Sequence, residues 1–355
     1  MGRDKAVIGG RPVREQSVIE KPFGRLVHFE MDDARQKPRV LLVAPLSGMA
    51  APILYDMVLG MLPDHDVHCL IWRDAAEVPV VAGPFGLDDN IAYVVEMLRY
   101  LGGATHLIGL CQSALPALAA AAIVADEQAR PASLTLIGGK LDTRINPTRV
   151  DSLTPTLRLE WFEDYAITTV PAFRPGRGRR VYPGGAELMM LSTYLLRHCA
   201  SGGELLAKIL RDDGEDPVGH PFLKLFFSVV DVPAEFFLDT IARVFHDAAL
   251  ADGRLAWRGS RIATEAITGT ALLTVEGEDD DISGLGQTRV AHDLCSGIPA
   301  ARRDHFLCPR VGHLGLMYGT AWRRDVLPRI GQFIRRNEAV GFGGVKGPDR
   351  SARPR

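Results

Sequence analysis

The run His106-Leu107-Ile108-Gly109-Leu110-Cys111-Gln112-Ser113-Ala114-Leu115 constrains this chain more than any other. An apolar, strand-like stretch enters Gly-x-Cys-x-Ser, and a small-residue helical pattern from Ala117 to Ile123 leaves it. A sharp strand-to-helix turn that lifts one side chain above a sheet needs small residues two before and two after it, because larger ones collide across the strained backbone. Gly109 and Ser113 meet that need, which makes Cys111 a candidate nucleophile. The plain alternative is a buried structural cysteine. The flanking pattern argues against it.

The rest of the chain supplies the sheet that such a turn requires. Arg39 to Ala44 is apolar on both faces and reads as a central strand. Apolar runs recur at Val67 to Trp72, Thr105 to Leu110, Ser133 to Ile137, Ala271 to Val275 and His305 to Leu307, with helical patterns at about Ile53 to Leu62, Leu87 to Leu101 and Leu115 to Asp126. This alternation predicts an α/β fold: a mostly parallel sheet with helices on both faces and reactive residues beyond the carboxyl ends of the strands.

Residues 1–37 form an N-terminal extension holding one possible strand pair, around Arg25 to Glu30 leading into Arg39 to Ala44. Residues 38–142 are the first part of the core. The alternation breaks over 143–267, where Trp161, Phe162, Tyr165, Tyr182, Met189, Met190, Tyr194, Phe222, Phe226, Phe227, Phe236, Phe237 and Phe245 supply apolar bulk. That insertion reads as a mainly helical cap over the active face, most of its aromatics forming its own core. Residues 268–340 complete the core, and the polar tail 341–355 is expected to be disordered.

A chain of 355 residues with 46 % hydrophobic content can bury a large core. Its 41 basic and 43 acidic residues leave a formal charge of -2, so no whole-chain field points to nucleic acid. The basic stretch Arg174 to Arg180 reads as a solvated loop, the alternative being contact with an acidic polymer. Five cysteines, at 69, 111, 199, 295 and 308, are odd in number and widely spaced, which suits a reducing compartment and not a disulfide framework or a zinc knuckle. No unbroken apolar stretch reaches the roughly 18 residues of a membrane span. A soluble cytoplasmic protein is expected.

A cysteine nucleophile needs a base. His313, in Val311-Gly312-His313-Leu314-Gly315 after a late strand, is the best placed, because small neighbours let its ring reach back over the sheet; His106 and His292 have weaker surroundings. The acid that orients such an imidazole should follow the preceding strand. Thr274-Val275-Glu276-Gly277-Glu278-Asp279-Asp280-Asp281-Ile282-Ser283-Gly284 begins there, and Asp280 is chosen, with Asp281 as runner-up. A calcium or magnesium loop is the other reading of these carboxylates, but the alternating ligands and closing glutamate of a hand-type loop are missing. No metal and no cofactor is expected. The order nucleophile, acid, histidine is that of an α/β-hydrolase. An oxyanion would be held by the backbone N–H of Gln112, at a helix start, and by that of Leu46 or Ser47 in the loop after the first central strand.

Taken together, these segments resemble the intracellular polyhydroxyalkanoate (poly-3-hydroxybutyrate) depolymerase family over roughly residues 38–335. The resemblance rests on Val43-Ala44-Pro45-Leu46-Ser47-Gly48, Leu62-Pro63-Asp64-His65-Asp66-Val67, Ile71-Trp72-Arg73-Asp74-Ala75, Phe85-Gly86-Leu87-Asp88-Asp89, Cys111-Gln112, Asp142-Thr143-Arg144-Ile145-Asn146-Pro147-Thr148, Arg180-Val181-Tyr182-Pro183-Gly184, Thr274-Val275-Glu276-Gly277-Glu278 with Asp280-Asp281-Ile282-Ser283-Gly284, and Val311-Gly312-His313. It implies an α/β-hydrolase fold with a cap, a Cys111, Asp280 and His313 triad, and a thiol esterase acting in the cytoplasm on polyester granules or on hydroxyalkanoate oligomers. Polymer synthesis is its nearest enzymatic rival, and a non-catalytic granule protein the non-enzymatic one. The chain departs from the family at Met49, where histidine is usual, at Ser113, often proline, and at Lys140-Leu141, where the family has Pro-Ile.

Overall fold

The computed structural model describes residues 7–8, 11–31, 36–46, 50–186 and 229–338. Its centre is a nine-stranded sheet: β1 (Val7–Ile8), β2 (Arg11–Lys21), β3 (Gly24–Met31), β4 (Arg39–Val43), β5 (Asp66–Trp72), β6 (Thr105–Leu110), β7 (Ser133–Ile137), then, after a series of short strands, Ala271–Gly277 and Arg303–Cys308. Strand order across the sheet runs β1-β2-β3-β5-β4-β6-β7, followed by Ala271–Gly277 and Arg303–Cys308. From β5 onward every neighbour is parallel. The inner parallel strands read as apolar runs because both of their faces are covered, whereas the edge strand Arg303–Cys308 is half-buried.

The even and odd positions of β4 show how the covering works. Leu41 and Val43 face a core shared with α2 (Leu87–Leu101) and α3 (Ala114–Ile123), whereas Val40 and Leu42 face α1 (Ala50–Met61) and the C-terminal helix Leu327–Arg336. All four side chains are fully buried, and each contributes roughly 1.5–3 kcal/mol of transfer free energy. Helix α2 stops at Gly102, where φ is +79° and the N–H closes on Leu98 O at 2.8 Å, a conformation that favours glycine.

The N-terminal region differs from the sequence expectation. β3 pairs antiparallel with β5 and not with β4, and β2 pairs with β3, so the first strands extend the main sheet. β2 is mostly polar and is held by its backbone ladder, which leaves no apolar signature to read.

Between β7 and Ala271–Gly277, the described part of the insertion is mixed. It holds short helices α4 (Arg149–Leu153), α5 (Leu159–Tyr165) and α6 (Ala234–Thr240), a three-stranded antiparallel sheet of β8 (Thr168–Thr169), β9 (Arg180–Tyr182) and β10 (Val232–Pro233), and the hairpin β11 (Ala256–Trp257) with β12 (Ser260–Arg261). Several aromatics expected as its core are such: Phe236 is fully buried and Tyr182 stacks on Phe237 at 4.1 Å. Met189, Met190, Tyr194, Cys199, Phe222, Phe226 and Phe227, like the tail 341–355, lie outside the described residues. Among the described residues, no helix is long and apolar enough to cross a membrane. The remaining two main strands, Ala271–Gly277 and Arg303–Cys308, are β13 and β14.

Candidate active site

Cys111 follows the last residue of β6 and takes φ = +49°, a conformation that costs a non-glycine residue energy and is kept only where the surroundings enforce it. The enforcement is visible. A Cβ on Gly109 would come within 2.7 Å of Ala117 Cβ, and one on Gly139 within 2.2 Å of Ala114 Cβ, so both glycines let the turn pack against α3 and the end of β7. Ser113 is buried and donates its hydroxyl to Ala44 O, fixing the turn to the end of β4. Cys111 itself is half-buried.

His313 and Asp280 come to this turn from the two last strands. The loop after β13 and the loop after β14 are stitched together: Glu278 N donates to Cys308 O at 3.0 Å, Asp279 N to Val311 O at 3.0 Å, and Arg310 N to Glu278 Oε2 at 2.9 Å. His313 Nδ1 then lies 2.7 Å from Asp280 Oδ2, with both side chains 2 % exposed. Asp280 Oδ1 accepts the backbone N–H groups of Ile282 at 2.9 Å and Ser283 at 2.8 Å, which fixes the carboxylate while its other oxygen faces the ring.

The remaining nitrogen, Nε2, is buried and makes no hydrogen bond, and Cys111 is near enough to act on the charge of the ring. Burial opposes charge on this imidazole, yet the Asp280 carboxylate, Cys111 and the hydrogen bond to Asp280 outweigh it, so the His313 pKa stands well above its ordinary value. Thiol, imidazole and carboxylate thus lie in one neighbourhood, with the imidazole bonded to the carboxylate. Asp281 is exposed and is not the carboxylate on His313.

The carboxylates read alternatively as a cation loop are engaged separately. Glu276 accepts the N–H groups of Gly286, Thr288 and Arg289, Glu278 that of Arg310, and Asp280 bonds His313. Of the two weaker histidines, His106 bonds Ser133 Oγ at 2.7 Å within the sheet, and His292 bonds Thr274 Oγ1 at 2.8 Å. Neither reaches Cys111.

Of the backbone groups expected to hold an oxyanion, those of Gln112 and Leu46 belong to described residues. Gln112 is the second residue of the helical turn Cys111–Ser113 ahead of α3, where its N–H meets the positive end of the helix dipole. The N–H of Leu46, however, donates to Gln112 Oε1 at 3.0 Å. Leu46 therefore spends its donor within the protein, while Ser47, the alternative donor, lies outside the described residues. Sequence reasoning missed this side-chain role of Gln112. It also missed Gly138, whose φ is +56° and on which a Cβ would stand 2.9 Å from His313 Cε1. The paired glycines after an apolar strand were the available signal.

Three arginines of the basic stretch are engaged within the chain. Arg174 pairs with Asp74 and Glu77, Arg180 with Glu163, and buried Arg179 donates to the carbonyls of Val78, Pro79 and Gly83.

Residues 138–338, more than half of the chain, match the family described as PHB de-polymerase C-terminus. The chain belongs to this family. The match spans Asp280 and His313, while Cys111 precedes it. No curated protein matches the chain. Similar solved structures include a putative lipase from Acinetobacter baumannii AYE, 14 % identical over 92 % of each chain with a TM-score of 0.52. Another is the alpha/beta hydrolase GrgF from Penicillium sp. sh18, 15 % identical over 93 % of this chain and 99 % of that one, with a TM-score of 0.51. These likenesses establish the α/β-hydrolase fold, which the residue order and the family resemblance implied, on the mostly parallel sheet that the strand and helix alternation predicted. Family and fold together support a carboxylic ester hydrolase.

Proposed function

We propose that this protein is a polyhydroxyalkanoate depolymerase, a thiol esterase that cleaves poly(3-hydroxybutyrate) through Cys111, Asp280 and His313. The observation that carries the reading is the convergence of a strained Cys111 and an Asp280-bound His313 in a member of the PHB de-polymerase family. In this reading residues 143–267 form the cap over the site, and the protein works on storage granules in the cytoplasm.

His313 takes the Cys111 thiol proton as sulfur attacks the ester carbonyl. The tetrahedral oxyanion is met by the N–H groups of Gln112 and Ser47. As the C–O bond breaks, the protonated imidazole gives its proton to the departing alkoxide, so that a hydroxyl-ended chain leaves and a 3-hydroxyacyl thioester remains on Cys111. Water then adds to the thioester, His313 removing its proton. Collapse releases the free acid and returns the proton to sulfur. Asp280 keeps the ring in the Nδ1–H tautomer throughout and offsets its charge.

The test is acid release from amorphous poly(3-hydroxybutyrate) granules by wild type and Cys111→Ala, with a soluble hydroxybutyrate oligomer assayed alongside. Granule hydrolysis lost in Cys111→Ala supports the proposal. Activity on oligomer alone makes the protein an oligomer hydrolase, and wild-type rates in Cys111→Ala overturn the thiol mechanism.

A further inference from the structure

A second cluster of reactive side chains lies at the other end of the sheet. β3 and β5 are antiparallel with His28 opposite His68. Because side chains alternate between faces, Asp66 and His68 of β5 project from the same face, as do His28 and Glu30 of β3. One potential ligand atom from each of His28, Asp66 and His68 lies within 4.8 Å of the others. His28 Nε2 is 2.6 Å from Asp66 Oδ1, and its Nδ1 is 3.1 Å from Glu30 Oε1. The two imidazoles stack at 4.2 Å.

His68 makes this more than a surface ion pair. It is 6 % exposed, and its Nδ1 is buried with no hydrogen-bond partner. A buried polar atom without a partner calls for a ligand such as an ion or a water. The geometry points to a divalent transition-metal site, Zn2+ by ligand type, made of His28, Asp66 and His68 with Glu30 beside it.

The donor set fits that class. Two imidazoles and a carboxylate suit zinc or cobalt, whereas calcium and magnesium take shells of oxygen. Donors around a tetrahedral zinc stand roughly 3.4 Å apart for bonds of about 2.1 Å, so the shell forms only as the stacked imidazoles turn out of their parallel arrangement, each by roughly 55°, to aim their nitrogens at one ion. The ion takes the place of the proton shared by His28 and Asp66. Arg39 Nε approaches Asp66 Oδ2 at 3.5 Å, which leaves Oδ1 for the metal and orients the carboxylate from outside. The half-exposed Glu30 and Asp66 give the ion a way in.

The position assigns the role. Asp66 opens β5, while Cys111 follows the last residue of β6, and both strands run parallel to β4. The cluster is therefore at the end of the sheet away from Cys111, and a metal there clamps the N-terminal hairpin β2–β3 to the parallel strands without entering the ester chemistry. Its fate is independent of the depolymerase reading.

The test uses the full-length protein stripped with a chelator and titrated with Zn2+ by calorimetry and with Co2+ by visible absorption. The expected result is one ion per chain, a cobalt spectrum without a thiolate charge-transfer band, a thermal midpoint raised by Zn2+, and binding weakened at least about tenfold in His28→Gln and His68→Gln. His28→Gln alters the more open residue and carries the test if His68→Gln does not fold, as circular dichroism will tell. No stoichiometric binding by wild type, or unchanged binding in folded His28→Gln, overturns the site. So does a thiolate band that disappears in Cys111→Ala, since the ion then sits at the active site.

Discussion

The backbone N–H of Leu46 donates to the side-chain Oε1 of Gln112 at 3.0 Å, so the residue after Cys111 holds the loop beyond β4 in place. That loop carries the second proposed oxyanion donor, whose value depends on being aimed before charge develops. Gln112→Ala keeps the residue's own N–H and releases the loop. It is expected to lower kcat by about tenfold or more, up to the roughly 10²–10³ of a lost donor, with KM little changed. Steady-state kinetics on a soluble hydroxybutyrate oligomer check this. A raised KM at unchanged kcat would show that Gln112 serves binding alone.

Asp280 and its neighbour Asp281 separate cleanly in the structure. Asp280 bonds His313 Nδ1 and is held by two backbone N–H groups, while Asp281 is exposed. Asp280→Asn keeps the shape but offers an amide where a carboxylate must accept, so kcat should fall by about 10³- to 10⁴-fold. Asp281→Asn should stay near wild type. Equal losses in the two variants would refute the assignment.

These relationships show what the sequence made legible. The strands β4 to β7 and β13 were readable because burial on both faces forces apolar runs, whereas the half-buried edge strand β14 showed only the short run His305 to Leu307; Cys111 and His313 were readable because each sits in a short pattern whose small residues answer a local steric demand. β2 was not, since its polar residues satisfy only a backbone ladder. The bond from Leu46 to Gln112 and the packing of Gly138 on His313 join residues far apart in the chain, and no local pattern encodes them. Opposing His28 to His68 likewise requires the pairing of β3 with β5, where β4 was the expected neighbour.

Gly138 offers the sharpest steric test. Its positive φ disfavours any side chain, and a methyl there would stand 2.9 Å from His313 Cε1, 3.1 Å from Nδ1 and 3.5 Å from Asp280 Oδ2. Gly138→Ala should therefore push the imidazole off its line between Asp280 and Cys111, and a displacement of about an ångström costs on the order of 10²-fold in rate. The variant should remain folded by circular dichroism while kcat drops. A folded variant with wild-type kcat would mean that His313 is not held by this contact.

Acid stability follows from a histidine outside the chemistry. His106 is buried within the sheet, bonded to Ser133 Oγ at 2.7 Å, and burial pushes its pKa down to about 4 from the ordinary 6.5. On acidification the unfolded chain therefore takes up a proton that the folded chain refuses. Its contribution is intact above pH 6.5 and is lost as pH falls from there towards about 4. Burial also pushes His68 and His292 to about 4, so three such groups steepen the same acid limb. His106→Gln can still hydrogen-bond Ser133 but binds no proton. It should lose less stability than wild type between about pH 7.5 and about pH 5, by roughly one proton's worth of slope, in urea unfolding followed by fluorescence. Identical slopes would show that His106 does not govern the acid limb, since removing a group that takes up a proton only on unfolding must flatten it.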